Sequence, residues 1–318
     1  MIFGNSCTFL TYDILGIMKK ITIAIIVLII AGAGFYFIKQ KGSPAVDTTN
    51  TTGTQNNTVA TTTPIVKQTE GSEVVIGKSV NGRDIVAYNY GEGDKRVLFI
   101  GGIHGGYSWN TAILAFQVMD YLKANPSVIP ANVKVTVIPN LNPDGLNKVI
   151  ANVSSGITKA NVTASGSALT ASRFNANNVD LSRNFDCDWK SVGVWQTKSV
   201  SGGSSVFSEP ESLAIKNYVE THKLSAVVVW YSSAGGVYAS SWGAGVLPET
   251  STITNIFAKA SGYPAYESFD FYETAGDLVN WLAKSKIPAI SVLLSTHTDT
   301  ELEKNKKGLE ALLQYYAK

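Results

Sequence analysis

Apolar and polar positions alternate in blocks that predict one globular domain from residue 72 to residue 318. Short apolar runs bounded by glycine, proline or polar residues are typical of strands buried on both faces of a parallel sheet. The predicted strands are 74–76, 85–89, 97–100, 133–138, 226–230 and 289–294, and the predicted helices are 111–122, 277–283 and 301–316. Because strands alternate with helices, the predicted fold class is α/β, with a mixed, mostly parallel central sheet and helices on both faces.

Two other stretches complete this pattern. Ser208 and Glu211 have the spacing of a capping box, which predicts a further helix that ends near Thr221. Residues 151–178 are small and polar, and they predict a long loop over one face of the domain.

A separate apolar run, residues 21–38, carries no charge and is flanked by lysines on both sides. Its length predicts a single transmembrane anchor after an N-terminal tail, residues 1–20, although Met18 is an alternative start. Residues 39–71 are rich in Thr and Asn and predict a disordered linker. This layout predicts a single-pass protein of the cell membrane with its domain outside the cytoplasm. The alternative is a signal peptide cut near residues 31–33, which would make the domain a secreted one.

Composition and charge exclude several classes of protein. The chain has 318 residues, of which 45% are hydrophobic, and its formal net charge is +2 without blocks of like charge. Nothing therefore points to a nucleic-acid partner. Cys7 and Cys187 lie on opposite sides of the apolar run, so neither a disulfide framework nor a cysteine metal site is predicted.

The candidate chemistry begins at the end of the predicted strand 97–100. Glycines at 101, 102, 105 and 106 surround His104, so the backbone can turn sharply there and approach a ligand closely. The carboxyl ends of central strands are where open α/β sheets place their sites. The other interpretation is a turn whose only polar residue happens to be histidine.

Several motifs follow in order along the domain. Residues 178–185 read NVDLSRNF, Arg173 lies nine residues before Ser182, residues 142–145 read NPDG, and Tyr272 is followed four residues later by Gly276. Together with His104, they resemble the zinc carboxypeptidase family, the carboxypeptidase A/B type and its bacterial relatives that trim peptides or cell-wall stem peptides. The resemblance covers almost the whole predicted domain and implies the family's sheet, with helices on both faces.

The resemblance also implies roles for individual residues. Arg173 falls at the position that polarises the scissile carbonyl, and Arg183 at the position that grips a terminal carboxylate as a bidentate pair. Ser182 and Asn184 flank Arg183 as substrate-binding positions, and Tyr272 falls at the position of a substrate-capping tyrosine. Asp180 resembles the carboxylate that orients the first histidine ligand.

The metal-binding and general-base positions depart from the family. Members bind zinc through two histidines and a glutamate, and here His104 is the only matching ligand. Tyr107 and Ser108 occupy or flank the glutamate position, Tyr231 occupies the second histidine position, and Leu293 replaces the general-base glutamate. A phenol with a pKa near 10 is a poor zinc ligand at neutral pH. We therefore expect no cofactor, and His104 is then a structural imidazole held by Asp180.

Three hypotheses of function follow. In the first, the domain is a pseudo-peptidase that binds the C-terminal carboxylate of a peptide or cell-wall stem peptide through Arg173 and Arg183. In the second, it is an active metallocarboxypeptidase that removes C-terminal residues with zinc held by non-standard ligands, such as His297 or Asp299. In the third, it is a structural or partner-binding domain of the cell envelope, and its pocket is vestigial. Whether the domain is an enzyme stays open at this point.

Overall fold

A computed structural model describes residues 72–151 and 156–318. The predicted tail, the transmembrane anchor at 21–38, the alternative signal-peptide cut and the linker at 39–71 lie outside these residues. Within the described ranges, no helix is both long and apolar enough to cross a membrane.

The centre of the domain is an eight-stranded sheet. Its strands are β1 (Glu73–Lys78), β2 (Asp84–Tyr90), β3 (Lys95–Ile100), β4 (Val133–Ile138), β7 (Leu224–Ser232), β8 (Gly236–Ala239), β11 (Ala265–Tyr266) and β12 (Ala289–Leu294). Their order across the sheet is β1–β2–β4–β3–β7–β12–β8–β11. The four central strands β4, β3, β7 and β12 run parallel, and β2 and β8 pair antiparallel with β4 and β12 on the two sides. The predicted mixed, mostly parallel sheet is confirmed.

Helices and two small hairpins surround the sheet. The helices are α1 (Trp109–Ala124), α2 (Pro143–Asn147), α3 (Gly166–Ala171), α4 (Pro210–Thr221), α5 (Pro248–Ser261), α6 (Leu278–Lys284) and α7 (Leu302–Tyr316). The hairpins pair β5 (Val192–Trp195) with β6 (Lys198–Ser201), and β9 (Ser241–Trp242) with β10 (Gly245–Val246).

The core has two halves, one on each face of the sheet. Strand β3 shows why, since its successive side chains point to opposite faces. Val97 and Phe99 pack with α1, α5 and α7, while Leu98 and Ile100 pack with α4 and α6. All four side chains are fully buried, which explains the continuous apolar run in the sequence. The prediction of helices on both faces is confirmed.

Two local predictions differ from the structure. The capping box does not form, because Pro210 occupies the start of α4 after Glu209, and Ser208 donates its hydroxyl to the Glu209 carboxylate. Glu211 is buried and accepts hydrogen bonds from Asn175 and the Val80 backbone. The long loop at 151–178 contains the short helix α3.

Candidate ligand-binding site

A cavity of about 700 Å³ opens at the carboxyl ends of β3, β7 and β12. Nine of the residues singled out from the sequence line it: His104, Tyr107, Arg173, Ser182, Arg183, Tyr231, Tyr272, Leu293 and His297. Asp180 lies behind the wall and is fully buried. The edge of the sheet therefore gathers residues that lie far apart in the sequence, as expected where parallel strands end.

The turn after β3 brings His104 against the segment that carries the arginines. Gly105 adopts a left-handed conformation, with φ of 46°, and a side chain there would lie 2.6 Å from the Ser172 carbonyl. Gly106 donates its backbone N–H to that same carbonyl over 3.1 Å. Glycine is needed at position 105 because both the conformation and the close approach disfavour any side chain.

The hydroxyl of Ser182 is the centre of the polar network behind the cavity. It donates to Asp180 Oδ1 over 2.8 Å, and it lies 2.9 Å from His104 Nε2 and 3.1 Å from Arg183 Nη1. A hydroxyl has one proton to donate and two lone pairs that accept. Since that proton goes to Asp180, His104 donates its Nε2–H, and the neutral tautomer is fixed.

His104 does not contact Asp180 directly, because its Nε2 lies 3.9 Å from the carboxylate and Ser182 bridges them. Burial lowers the pKa of His104 well below its ordinary value, and the positive charge of Arg173 adds to this effect. Its second nitrogen, Nδ1, is buried and has no hydrogen-bond partner among the described residues.

Asp180 and Arg173 form a buried ion pair, with 2.9 Å between Arg173 Nε and Asp180 Oδ2. Burial alone would raise the pKa of the Asp180 carboxyl, but Arg173 and Arg183 hold it well below its usual range. The carboxylate is therefore ionised and compensates part of the positive charge of the two guanidinium groups.

The hairpin β5–β6 positions both arginines from one side. The Val194 carbonyl accepts from Arg183 Nε over 3.0 Å and from Nη2 over 2.9 Å. The next residue, Trp195, places its ring 4.5 Å from the Arg173 guanidinium carbon, which is a cation–π contact. Consecutive residues of one strand thus fix the two positively charged groups of the cavity.

The two arginines differ in how many N–H groups they have left. Arg183 also donates through Nη1 to the Ser182 carbonyl over 2.6 Å and to its hydroxyl, so one of its N–H groups stays uncommitted. Arg173 Nη1 makes no hydrogen bond within the described part of the chain. The bidentate grip predicted for Arg183 would require its bond to Val194 to open, whereas Arg173 has a free edge.

The structure separates the two candidates for the glutamate position. Tyr107 lines the cavity and packs edge-on against Trp195 and His297, with ring centroids 4.9 and 4.6 Å apart. Ser108 is 1% exposed, does not line the cavity, and precedes α1. Tyr107 is therefore the residue that faces the ligand space.

Two predicted substrate-binding residues lie in different surroundings. Tyr272 lines the cavity, and its ring centroid is 5.8 Å from the Arg183 guanidinium carbon. Asn184 is not brought to the cavity, because its amide donates to the carbonyls of Gly202 and Ser205 and accepts from the Glu209 backbone. Asn184 thus fixes the loop that leads into α4.

The donor set at the cavity does not fit zinc. The Tyr231 hydroxyl lies 3.5 Å from Asp277, and burial raises the pKa of that phenol well above its ordinary value. Leu293 offers no donor atom, and His104 is the only imidazole or carboxylate among the residues at the family's metal-binding positions. Within residues 72–151 and 156–318, no group of three or more His, Cys, Asp or Glu side chains could hold a metal ion.

Of the two non-standard ligands considered from the sequence, His297 lines the cavity and Asp299 does not. His297 lines the cavity, and its Nδ1 lies 3.0 Å from the Ser232 hydroxyl. Asp299 accepts from the Glu301 backbone and does not line the cavity. Sequence reasoning did not assign a role to Trp195, Ser232 or Asp277, because no motif spacing marks them.

Comparison with known proteins agrees with the family resemblance of the motifs. The family model described as zinc carboxypeptidase matches residues 67–307. Among curated proteins, none matches this sequence.

Solved structures share the fold at low sequence identity. Murein-tripeptide amidase MpaA from Escherichia coli O157 is 20% identical with a TM-score of 0.54, over 78% of this chain and 93% of that one. Carboxypeptidase A from Helicoverpa armigera is 17% identical with a TM-score of 0.57, over 77% of this chain and 66% of that one. Bovine thrombin-activatable fibrinolysis inhibitor is 14% identical with a TM-score of 0.55, over 77% of this chain and 88% of that one. At these identities the likeness shows the fold alone.

Proposed function

Because the chain belongs to the zinc carboxypeptidase family, we propose that its domain binds the carboxylate end of a peptide without metal-dependent hydrolysis. The observation that carries this proposal is the pair of buried arginines, Arg173 and Arg183, on the wall of one cavity. Asp180 contacts Arg173 behind them, and the second buried carboxyl group at the cavity, Asp277, has its pKa raised by burial, which disfavours its negative charge. The pair favours an anionic ligand because guanidinium groups recognise carboxylates through charge-assisted hydrogen bonds.

In the proposed complex, the uncommitted N–H of Arg183 donates to the terminal carboxylate. Arg173 directs its free Nη1 at the neighbouring carbonyl group. Tyr272, beside Arg183, closes over the ligand. This arrangement follows the roles that the family resemblance implies, and it uses only donor groups that the protein has left unpaired.

The rest of the cavity favours an uncharged ligand side chain. Its outer wall carries the aromatic rings of Tyr238, Phe269 and Phe271, and Phe271 is 64% exposed. One structural relative is named a murein-tripeptide amidase, which favours a cell-wall stem peptide over other peptides. The apolar run at 21–38 supports the further proposal that the domain is tethered to the cell membrane and acts outside the cytoplasm.

Replacing Arg183 with Ala is expected to weaken the binding of acetyl-Gly-Phe or acetyl-D-Ala-D-Ala at least tenfold, because a hydrogen bond to a charged group is lost. Calorimetric titration of the full chain measures this change. Arg183→Lys keeps the charge without the planar fork and should give an intermediate affinity. The matched control Lys216→Ala removes a cation on the surface of α4 and should leave the affinity unchanged. Equal affinity of wild type and Arg183→Ala would reject the proposal.

A further inference from the structure

The loop after β12 presents a second histidine to the cavity. His297 is half-buried there, and its Nδ1 lies 3.0 Å from the hydroxyl of Ser232 at the end of β7. The same hydroxyl lies 3.2 Å from Asn110 Oδ1 in the first turn of α1. Three elements of the fold thus meet in one chain of hydrogen bonds that ends at an imidazole.

The direction of these hydrogen bonds follows from Asn110. Its amide nitrogen donates to the carbonyls of Thr296 and Asp299, over 2.8 and 2.9 Å, so its oxygen must face Ser232 as an acceptor. The single hydroxyl proton of Ser232 then goes to Asn110. His297 therefore donates its own Nδ1–H to Ser232, and the lone pair lies on Nε2.

That lone pair is available to a ligand. Nε2 of His297 has no hydrogen-bond partner among the described residues and, unlike His104 Nδ1, is not enclosed by protein. The two carbonyls held by Asn110 flank position 297 on both sides, so the loop and the ring are fixed together. Orientation of a neutral imidazole by hydrogen bonds to its other nitrogen is how proteins prepare a general base.

A group that can polarise a carbonyl, the guanidinium of Arg173, lies near this base. Arg173 Nη1 is free, and its guanidinium carbon lies 5.9 Å from the centroid of the Tyr107 ring, against which His297 also packs at 4.6 Å. Because both groups lie beside the Tyr107 ring, a carbonyl group that accepts from Arg173 would lie near the imidazole. A general base and a carbonyl-polarising group in one part of the cavity are what attack by water requires.

We propose that His297 is the general base of a metal-independent hydrolysis of esters whose leaving group carries the bound carboxylate. Water forms a bond to the carbonyl carbon while His297 Nε2 takes its proton, and Arg173 donates to the developing oxyanion. The C–O bond to the alcohol then breaks, and the proton on Nε2 passes to the leaving oxygen. The products are a carboxylic acid and a hydroxy acid, and no other reactant is required.

The ester is the substrate class because its carbonyl group is more easily attacked. Resonance with the nitrogen stabilises an amide and makes its carbonyl carbon less electrophilic, whereas an ester asks less of one general base and one oxyanion donor. A general base contributes a factor of roughly 10²–10⁴ to the rate, which is enough for measurable hydrolysis of an ester. This proposal rests on the proposed function, since the carboxylate must be held by Arg183 for the ester carbonyl to reach Arg173.

The charged and titratable groups around His297 set its pH dependence. Arg173, His104 and Tyr107 face it from other elements, and Asp299 lies on its own loop. Burial lowers the pKa of His297, and Arg173 lowers it further. The imidazole is thus neutral at pH 7, and hydrolysis should be lost on acidification with a midpoint below its ordinary value of 6.5.

The test uses the full chain, a chelator and the ester of acetylglycine with phenyllactic acid, with release of acid followed by titration. His297→Asn keeps a donor toward Ser232 but removes the base, and it should lower kcat about 100-fold or more with little change in KM. The matched control His222→Asn changes a histidine beside Tyr218, outside the cavity, and should leave kcat unchanged.

Two results would overturn the role of His297: bound ester that is hydrolysed no faster than in buffer, or equal kcat in wild type and His297→Asn. Calorimetry with acetyl-Gly-Phe separates these results from a failure of the proposed function. If the proposed function fails, acetyl-Gly-Phe does not bind. If only the role of His297 fails, acetyl-Gly-Phe still binds.

Discussion

Replacing Asp180 with Asn is expected to lower the free energy of unfolding by about 3–5 kcal/mol, the usual cost of removing one partner of a buried ion pair. Asp180 is fully buried and accepts from Arg173 and Ser182, and Arg173 is 1% exposed. Without the Asp180 carboxylate, the positive charge of the Arg173 guanidinium would stay buried without its negatively charged partner. Denaturant unfolding of wild type and variant measures the difference.

The pH dependence of this difference follows from the pKa of Asp180. Arg173 and Arg183 hold that pKa below its usual range in the folded state, so the carboxylate stabilises the fold above the unfolded pKa of about 3.9. The contribution is lost as the pH falls below that value, and the gap between wild type and variant should shrink there. Asp186→Asn breaks an exposed pair with Lys284 and should cost no more than about 0.5 kcal/mol. Equal losses in both variants would contradict the buried role of Asp180.

Adding the two absent zinc ligands should convert the cavity into a metal site. We expect wild type to retain no zinc after exposure to zinc and buffer exchange, and the double variant Tyr107→Glu, Tyr231→His to retain about one equivalent per chain. With His104 these changes give two histidines and one carboxylate, which leave a position open for water. Metal analysis of the full chains measures the retained zinc.

A third change, Leu293→Glu, adds the general base and should raise peptide hydrolysis by the double variant roughly 10²–10⁴-fold. The matched control is Ser108→Glu with Tyr231→His, because Ser108 does not line the cavity and a carboxylate there should not restore zinc binding. Wild type that retains as much zinc as the double variant would show that the donor set includes residues other than those identified around the cavity.

The sequence predicts the sheet well where burial is complete. The runs 97–100 and 289–294 are apolar throughout because both faces of each central strand are covered by helices. Helix α5 is not predicted from its residues, since Ser and Thr interrupt its apolar positions and only Pro248 and Gly262 mark its ends.

The candidate site is predicted in part. The order of the motifs along the chain, and their resemblance to the family, place His104, Arg173 and Arg183 together at one edge of the sheet. It does not reveal that Ser182 bridges His104 and Asp180, which depends on side-chain distances. It also places Asn184 beside the ligand, whereas the chain direction after Arg183 turns that amide toward the loop at 202–208.

The site features that the sequence does not predict at all depend on contacts between residues far apart in the chain. Trp195 covers Arg173 only because the hairpin β5–β6 folds back over the cavity. Ser232 and Asn110 are separated by 122 positions, and nothing in the local sequence of either indicates that they meet. Such contacts follow from topology rather than from propensity or spacing.

The central claim is that the arginine pair binds a peptide carboxylate without metal. Its most direct test is calorimetric titration of the full chain, in the presence of a chelator, with acetyl-Gly-Phe as the free acid and as the C-terminal amide. The account predicts that the acid binds at least tenfold more tightly than the amide, because only the acid offers a charged acceptor to Arg183. Equal affinities, or binding of the acid only after zinc is added, would contradict it.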